Sequence, residues 1–121
     1  MKKNKIIIKN SKILIMGLTF KEDCKDIRNT KVVDIYKYLL KFTKNIDLYD
    51  PIASKTDIFS VYNNYPITKL KNKYYDSIII AVPHKLIKGI GIKKIRSLCK
   101  IKNIVYDIKS AFDIKDSDLR L

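Results

Sequence analysis

A polar segment of mixed charge, GLTFKEDCKDIRN at residues 17–29, is dense in side chains that could do chemistry. It is too polar for a core and combines an aromatic ring, acids, bases and a cysteine. Cys24 would need to be a thiolate to act as a nucleophile, and the acids on both sides of it disfavour that charge. Glu22 and Asp23 lack a partner set of metal ligands, so we interpret them as part of a solvated loop.

The net charge of +14, from 26 basic and 12 acidic side chains, favours an anionic partner. Only Arg28, Arg96 and Arg120 are arginines, and the lysines are spread along the whole chain. Surfaces that read nucleic acid favour arginine and concentrate charge on one element. We therefore predict no specific nucleic-acid binding, although weak attraction to polyanions is expected. A site for an anionic small ligand fits the same charge.

Length and composition narrow the class of protein further. A chain of 121 residues with 46% hydrophobic residues fits one domain with a real core. No apolar run approaches the 18 residues of a membrane span, and the basic N-terminus lacks the apolar core of a secretory signal. Cys24 and Cys99 lie far apart, and His84 alone cannot complete a zinc set. These features predict a cytoplasmic protein with reduced thiols, no structural metal and no membrane partner.

Short apolar runs alternate with segments of helical spacing. Runs at residues 12–17, 46–49, 77–82 and 103–106 predict buried strands, and a brief edge strand is predicted at 65–67. Apolar residues at helical spacing run from Val32 to Leu40 and from Leu86 to Leu98, the second pattern weakened near Gly89 and Gly91, and residues 54–63 predict a short helix. The alternation predicts a single α/β domain over residues 12–121, a Rossmann-like parallel sheet sandwiched by helices. Residues 1–11 are predicted to be a flexible tail or the remnant of a linker.

Ligands of such sheets bind beyond the carboxyl ends of the strands. Four segments are predicted to meet there: 17–28, 50–51, 82–84 and 107–110. We expect Asp50 and Pro51 to end a strand and shape the cleft, and His84 to make a polar contact at a helix start. The first segment contains neither GxGxxG nor a Walker A sequence, so the domain is not expected to bind NAD by itself.

The segment GLTFKEDCKDIRNTKVVDI, followed by LYDP, resembles the C-terminal domain of the UDP-glucose/GDP-mannose dehydrogenase family. Ala-Val-x-His at 81–84 and Asp-x-Lys at 107–109 extend the resemblance over about residues 12–112, in the family's order. Within the family, the stretch FKEDCKDIRNTKVVD most resembles the branch that oxidises UDP-N-acetylhexosamines, such as the Vi-polysaccharide and O-antigen enzymes. The resemblance implies an oxidoreductase of surface polysaccharide biosynthesis that converts C6 of a nucleotide sugar from alcohol to carboxylate with NAD.

The resemblance also implies that Phe20 and Lys21 contact the UDP part of the substrate. An aromatic ring can cover a base or ribose while an ammonium faces the diphosphate. Phe20 could instead be a core aromatic, and Lys21 a solvated surface lysine. Cys24 matches a cysteine that is frequent in this branch and not the family's thiol nucleophile, which belongs to an upstream segment. No catalytic residue is therefore expected in this chain.

Two further positions follow from the resemblance. Arg28 matches the arginine that reaches the phosphates of the NAD cofactor across the domain cleft, although it could also form a surface ion pair with Asp23 or Asp26. Lys109 matches a basic position near the bound nucleotide, and its alternative is an ordinary loop lysine. No metal ligand is implied at any position.

A full member of this family has an NAD-binding domain and a helical dimerisation segment besides this domain. The 121 residues contain neither the NAD fingerprint nor the matching nucleophile. We therefore expect a domain that is inactive alone and whose partners are a UDP-sugar and the portions, or a partner chain, that carry the rest. It is expected to be an excised domain or the product of a shortened or split gene. The alternative is a free-standing interaction module that pairs with a dehydrogenase and regulates it.

Overall fold

The computed structural model describes residues 11–19, 31–82, 84–107 and 119–120. In the strand at 99–107, the described side chains are those of Cys99, Lys100 and Val105. Its elements, in chain order, are β1 (Ile13–Met16), α1 (Val32–Leu39), β2 (Ile46–Tyr49), α2 (Lys55–Tyr62), β3 (Tyr75–Ile80), α3 (Lys85–Ile90), α4 (Ile92–Ser97), β4 (Cys99–Asp107) and β5 (Leu119–Arg120). The predicted α/β alternation is confirmed.

The strands form one parallel sheet in the order β2-β1-β3-β4-β5. In register, Ile13 lies between Ile46 of β2 and Ser77 of β3. All four residues of β1 are buried, as expected of a central parallel strand covered on both faces. The carboxyl ends of β2 and β3 therefore flank the carboxyl end of β1.

Helices cover both faces of the sheet. Successive strand side chains point to opposite faces, so Ile13 and Ile15 face one side while Leu14 and Met16 face the other. The first pair packs in a core with α1 and α2, and the second pair packs with α3 and α4. The predicted sandwich of helices around a parallel sheet is thus confirmed.

The predicted edge strand at residues 65–67 is wrong. This stretch runs beside β2 and makes a single backbone hydrogen bond to it, from the Ile67 amide to the Leu48 carbonyl at 2.8 Å. The Tyr65 amide bonds instead to the side chain of Asn64 at 2.9 Å. Pro66 has no amide hydrogen to donate, so a ladder cannot continue through it.

The second apolar helical pattern forms two short helices, α3 and α4, which meet at Gly91. Gly91 has φ of +85°, which breaks helical geometry, whereas Gly89 lies inside α3.

The strand ends also differ from prediction. β3 begins two residues earlier than predicted, and β4 extends to nine residues, with a register irregularity opposite Tyr75 and Ser77. The two-residue β5 was not predicted.

A cluster of polar and aromatic side chains lies towards the amino ends of the strands, and we call it the amino-end cluster. The Tyr75 hydroxyl donates to Asp47 Oδ2 at 2.6 Å, and Lys71 Nζ lies 3.3 Å from the same oxygen. The ammonium groups of Lys12 and Lys71 each lie 4.4 Å from the centre of the Tyr74 ring. These contacts join β2, β3 and the segment before β3 at the end of the sheet opposite the expected site.

Ser11, the last residue of the predicted tail, is buried, and its carbonyl accepts a hydrogen bond from Thr43 Oγ1 at 2.7 Å. Among the helices of the described residues, none has both the length and the apolar character needed to cross a membrane.

Candidate functional site

Three of the four segments predicted to meet beyond the strand ends do so in the described residues. The Gly17 amide donates to the Tyr49 carbonyl at 2.9 Å, which joins the ends of β1 and β2. The Ala81 amide donates to the Met16 carbonyl at 2.9 Å, which joins the ends of β3 and β1. The fourth segment begins at Asp107, the last residue of β4, and its remainder lies outside the described residues.

Asp50 is the centre of the polar contacts at this edge. It directly follows β2, and its side chain is fully buried. Its Oδ2 accepts from the Leu18 amide at 2.7 Å, and its Oδ1 accepts from the amides of Ile52 at 2.8 Å and Ala53 at 3.0 Å. The fourth contact is His84 Nε2, 2.9 Å from Oδ2. Both oxygens of the carboxylate are therefore used as acceptors.

These contacts set the charge of Asp50. Burial alone would raise the pKa of this carboxyl group, but hydrogen bonds from His84 and from the amides of Ala53, Leu18 and Ile52 bring the pKa below its ordinary value. Asp50 is thus ionised at neutral pH. An ionised carboxylate only accepts, so His84 Nε2 must carry a hydrogen towards it.

His84 extends the network to the chain that leaves β1. Its ring is fully buried, and Nε2 also lies 3.2 Å from the hydroxyl oxygen of Thr19, itself buried. His84 occupies the N-cap position of α3, but its side chain makes no capping bond to the helix. The predicted polar contact at the helix start is therefore present, and its partners are Asp50 and Thr19 instead of helix amides.

The peptide groups of Leu18 are held by side chains on both sides. Its amide donates to Asp50, and its carbonyl accepts from the Tyr62 hydroxyl at 2.9 Å. Tyr62 is the last residue of α2, and its ring contacts the Tyr36 ring of α1 with centroids 5.6 Å apart. The start of the polar segment is therefore tied to α1, α2, β2 and the beginning of α3.

Gly17 allows β1 and the end of β3 to come close together. Its φ of +89° is unfavourable for other residues, and an added Cβ would lie 2.7 Å from Cβ of Val82 and nearer still to the Val82 carbonyl oxygen. The space next to this glycine is thus filled by protein.

The residues predicted to bind UDP and NAD fall outside the described residues. Phe20, Lys21 and Arg28 belong to the stretch 20–30, as does Cys24, and Lys109 belongs to 108–118. Their roles stay predictions. The described chain reaches Thr19 on one side of the first stretch and Lys31 on the other.

The polar network itself was not predicted. Asp50 was expected to end a strand and shape the cleft, and its bonds to Ile52 and Ala53 do turn the chain after β2. Its pairing with His84, 34 positions away, has no local signature. The sequence does show that both residues come soon after buried strands, Asp50 after β2 and His84 after β3. Because these two strands flank β1 in the sheet, their carboxyl ends lie close together.

Comparisons with known proteins agree with this architecture. Residues 14–114 match the UDP-glucose/GDP-mannose dehydrogenase family, UDP binding domain. The chain is 39% identical over 119 residues to a UDP-N-acetyl-D-glucosamine 6-dehydrogenase of Salmonella typhi, covering 98% of this chain and 28% of that protein. It is 42% identical over 121 residues to the enzyme of the same name from Pseudomonas aeruginosa, covering all of this chain and 29% of that protein.

A solved structure supports the fold. The UDP-D-ManNAc dehydrogenase of Pyrococcus horikoshii superposes with a TM-score of 0.74 at 20% identity, covering 93% of this chain and 25% of that one. The chain spans less than a third of the length of the relatives that it matches. The family match covers most of its residues, including all of those in the network beyond the strand ends. This chain therefore belongs to the UDP-glucose/GDP-mannose dehydrogenase family, within which it corresponds to the UDP-binding domain.

Proposed function

We propose that this chain binds the UDP part of a nucleotide sugar for an NAD-dependent 6-dehydrogenase of the UDP-N-acetylhexosamine type. The observation that carries the proposal is the match of residues 14–114 to the UDP-binding domain of the family. The names of the two relatives near 40% identity support UDP-N-acetylglucosamine as the substrate, with the galactosamine and glucose forms as alternatives. A cytoplasmic location and a role in surface polysaccharide biosynthesis belong to the same proposal.

The place for the nucleotide is the carboxyl edge of the sheet. There the ends of β1, β2 and β3 are joined by hydrogen bonds, and the chain continues from Thr19 directly into Phe20 and Lys21. We propose that the Phe20 ring covers the base or ribose and that the Lys21 ammonium faces the diphosphate. Lys109, two positions after the end of β4, would add a second cation at the same edge.

NAD and the nucleophile would come from other parts of the enzyme. Hydride transfer requires the cofactor and the sugar to be held together. The chain contains no dinucleotide fingerprint, and the space next to Gly17 is occupied by Val82. The residues of this chain would bind and orient the nucleotide, and Arg28 would reach towards the phosphates of NAD held elsewhere. We therefore expect no dehydrogenase activity from these residues alone.

Titration of the 121-residue chain with UDP and UDP-N-acetylglucosamine tests the proposal. Calorimetry or NMR should give a saturable signal, weakened by Phe20→Ala and by Lys21→Ala. Phe42→Ala and Lys37→Ala are matched controls, because both residues are exposed near the end of α1 and away from the carboxyl edge. No saturable signal at millimolar ligand from a folded chain would contradict binding by this domain on its own.

The charge of the chain requires a second control. A polyanion such as DNA should bind weakly, with an affinity that collapses as salt is added. Generic attraction of this kind should not respond to Phe20→Ala, whereas UDP binding should. Equal loss of DNA and UDP binding in that variant would indicate a nucleic-acid site instead.

A further inference from the structure

We propose that Asp50, His84 and Tyr62 are positioning residues for nucleotide binding, acting through Leu18 and Thr19. We call these three side chains the Leu18 clamp. The inference rests on the proposed function in one respect, namely that the ligand at this edge is a uridine nucleotide. None of the three side chains is proposed to touch the ligand, since all are buried.

The clamp leaves the peptide groups of Leu18 little freedom to move. Asp50 holds the amide at 2.7 Å and Tyr62 holds the carbonyl at 2.9 Å. The Leu18 side chain is itself fully buried in the core shared with α1 and α2. A shift of this residue would break two buried hydrogen bonds and open the core, and each buried polar group left without a partner is destabilising.

The clamp is in turn anchored in three separate elements. Asp50 is fixed after β2 by the amides of Ile52 and Ala53. His84 is fixed at the start of α3, where its amide donates to the Val82 carbonyl at 3.0 Å. Tyr62 belongs to α2. The position of Leu18 is therefore set by tertiary contacts and not by the local conformation of its own segment.

This position matters because the predicted ligand contacts follow at once in the sequence. Thr19, within reach of His84, is one residue before Phe20 and two before Lys21. Consecutive Cα atoms are about 3.8 Å apart, so Phe20 and Lys21 can lie no further from Thr19 than one and two such steps. A fixed starting point lowers the conformational entropy that binding must remove, which increases affinity without a new contact.

Tyr62→Phe is the sharpest test, with Tyr75→Phe as its matched control. Each variant removes one hydroxyl from a buried tyrosine and keeps the ring, but Tyr75 bonds to Asp47 in the amino-end cluster. We expect Tyr62→Phe to raise the Kd for UDP about threefold to tenfold, the effect that follows if most of the free energy of this buried hydrogen bond is coupled to binding. Tyr75→Phe should change it by less than about twofold, because distant sites act independently.

His84 supplies a rescue test. The nitrogen that contacts Asp50 is Nε2, and the amide nitrogen of glutamine can take a similar place. His84→Gln should therefore retain most of the UDP affinity that His84→Ala loses. If these side chains only stabilise the fold, each variant should have a lower unfolding midpoint. The Kd values for UDP, measured under conditions in which every variant is folded, should then be the same for all of them.

Amide hydrogen exchange gives a readout that does not depend on the ligand. In Tyr62→Phe, exchange of the Leu18 amide, which donates to Asp50, should become faster relative to the Ile13 amide, and in Tyr75→Phe it should not. If the wild-type chain binds no UDP, the proposed function fails, and the exchange data still decide whether the clamp holds Leu18. Unchanged exchange, or equal Kd changes in the two tyrosine variants, would overturn the inference.

Discussion

Oδ2 of Asp50 lies 2.9 Å from Nε2 of His84, and both side chains are completely buried. Asp50 follows β2 and His84 follows β3, the two strands that flank β1. The pair therefore crosses over the end of β1, and the Leu18 amide bonds to the same carboxylate oxygen. The polar segment that carries the family resemblance begins at a point where three strands are tied together.

Acid should destabilise the protein through Asp50. Its pKa in the folded state is below the ordinary value of 3.8, although burial opposes this, because His84 and three amides bond to the carboxylate. A lowered pKa contributes stability above the unfolded value, and this contribution is lost as pH falls through the folded value. Urea unfolding from about pH 6 to about pH 2 should show a shallower acid loss in Asp50→Asn than in wild type. Equal acid slopes would contradict this account.

Asp50→Asn should also be less stable than wild type at neutral pH. An asparagine has one oxygen, whereas both oxygens of Asp50 accept hydrogen bonds, so either orientation sets an amide NH₂ against donors. We expect a loss of about 1–3 kcal/mol for each buried donor left without an acceptor. Asp57→Asn is a suitable control, since this exposed residue lies in the first turn of α2 and outside the network. Denaturant melts at neutral pH measure both variants.

Replacing Gly17 by alanine should be strongly destabilising. The positive φ and the overlap with Val82 act together, and we expect a loss above about 3 kcal/mol. Gly89→Ala is the matched control, because this exposed glycine lies inside α3 and an added Cβ there meets no atom within 4 Å. That variant should be stabilised by about 0.5–1 kcal/mol. Thermal unfolding measures the stability of both variants. A smaller loss of stability in Gly17→Ala than in Gly89→Ala would contradict the close packing of Gly17 against Val82.

Ser54 should contribute to α2 as its N-cap. Its hydroxyl accepts from the Asp57 amide at 3.1 Å, and Ser54→Ala should lower the free energy of unfolding by about 1 kcal/mol. Ser60 lies in the same helix and donates to the Asp57 carbonyl. Because that bond satisfies no free helix terminus, Ser60→Ala should change stability by less than about 0.5 kcal/mol. Similar losses in both variants, measured by denaturant unfolding, would exclude a specific capping role.

Alkaline pH should destabilise the protein through Tyr75. Burial raises the pKa of its hydroxyl above the ordinary 10.0, and the hydrogen bond to Asp47, the charge of Asp47 and the neighbouring Tyr74 raise it further. A raised pKa contributes stability that is present below the unfolded value and is lost as pH rises above it. The stability of Tyr75→Phe should consequently fall less steeply above about pH 10 than that of wild type. Parallel alkaline curves would show that Tyr75 ionises equally in both states.

Much of the fold could be predicted because it rests on local patterns. The buried run at β1 and the helical spacing from Val32 both appear in the sequence as apolar periodicity, and β2 was predicted at its observed bounds. Pro66 and Gly91 show where such patterns mislead. An apolar stretch beside a sheet edge does not pair through proline, and one glycine at positive φ divides a continuous helical pattern.

The candidate site likewise has features that the sequence predicts and features that only the fold determines. The sequence by itself determined the family, the parallel α/β order and the four segments expected at the carboxyl edge, since all of these are contained in short motifs and their spacing. Only the tertiary structure decided that Asp50 and Tyr62 meet at Leu18 and that His84 meets Asp50 and Thr19, because hydrogen bonds between residues more than 30 positions apart depend on strand order and helix packing. Local sequence encodes which side chains are present at each strand end, and the fold determines which of them meet.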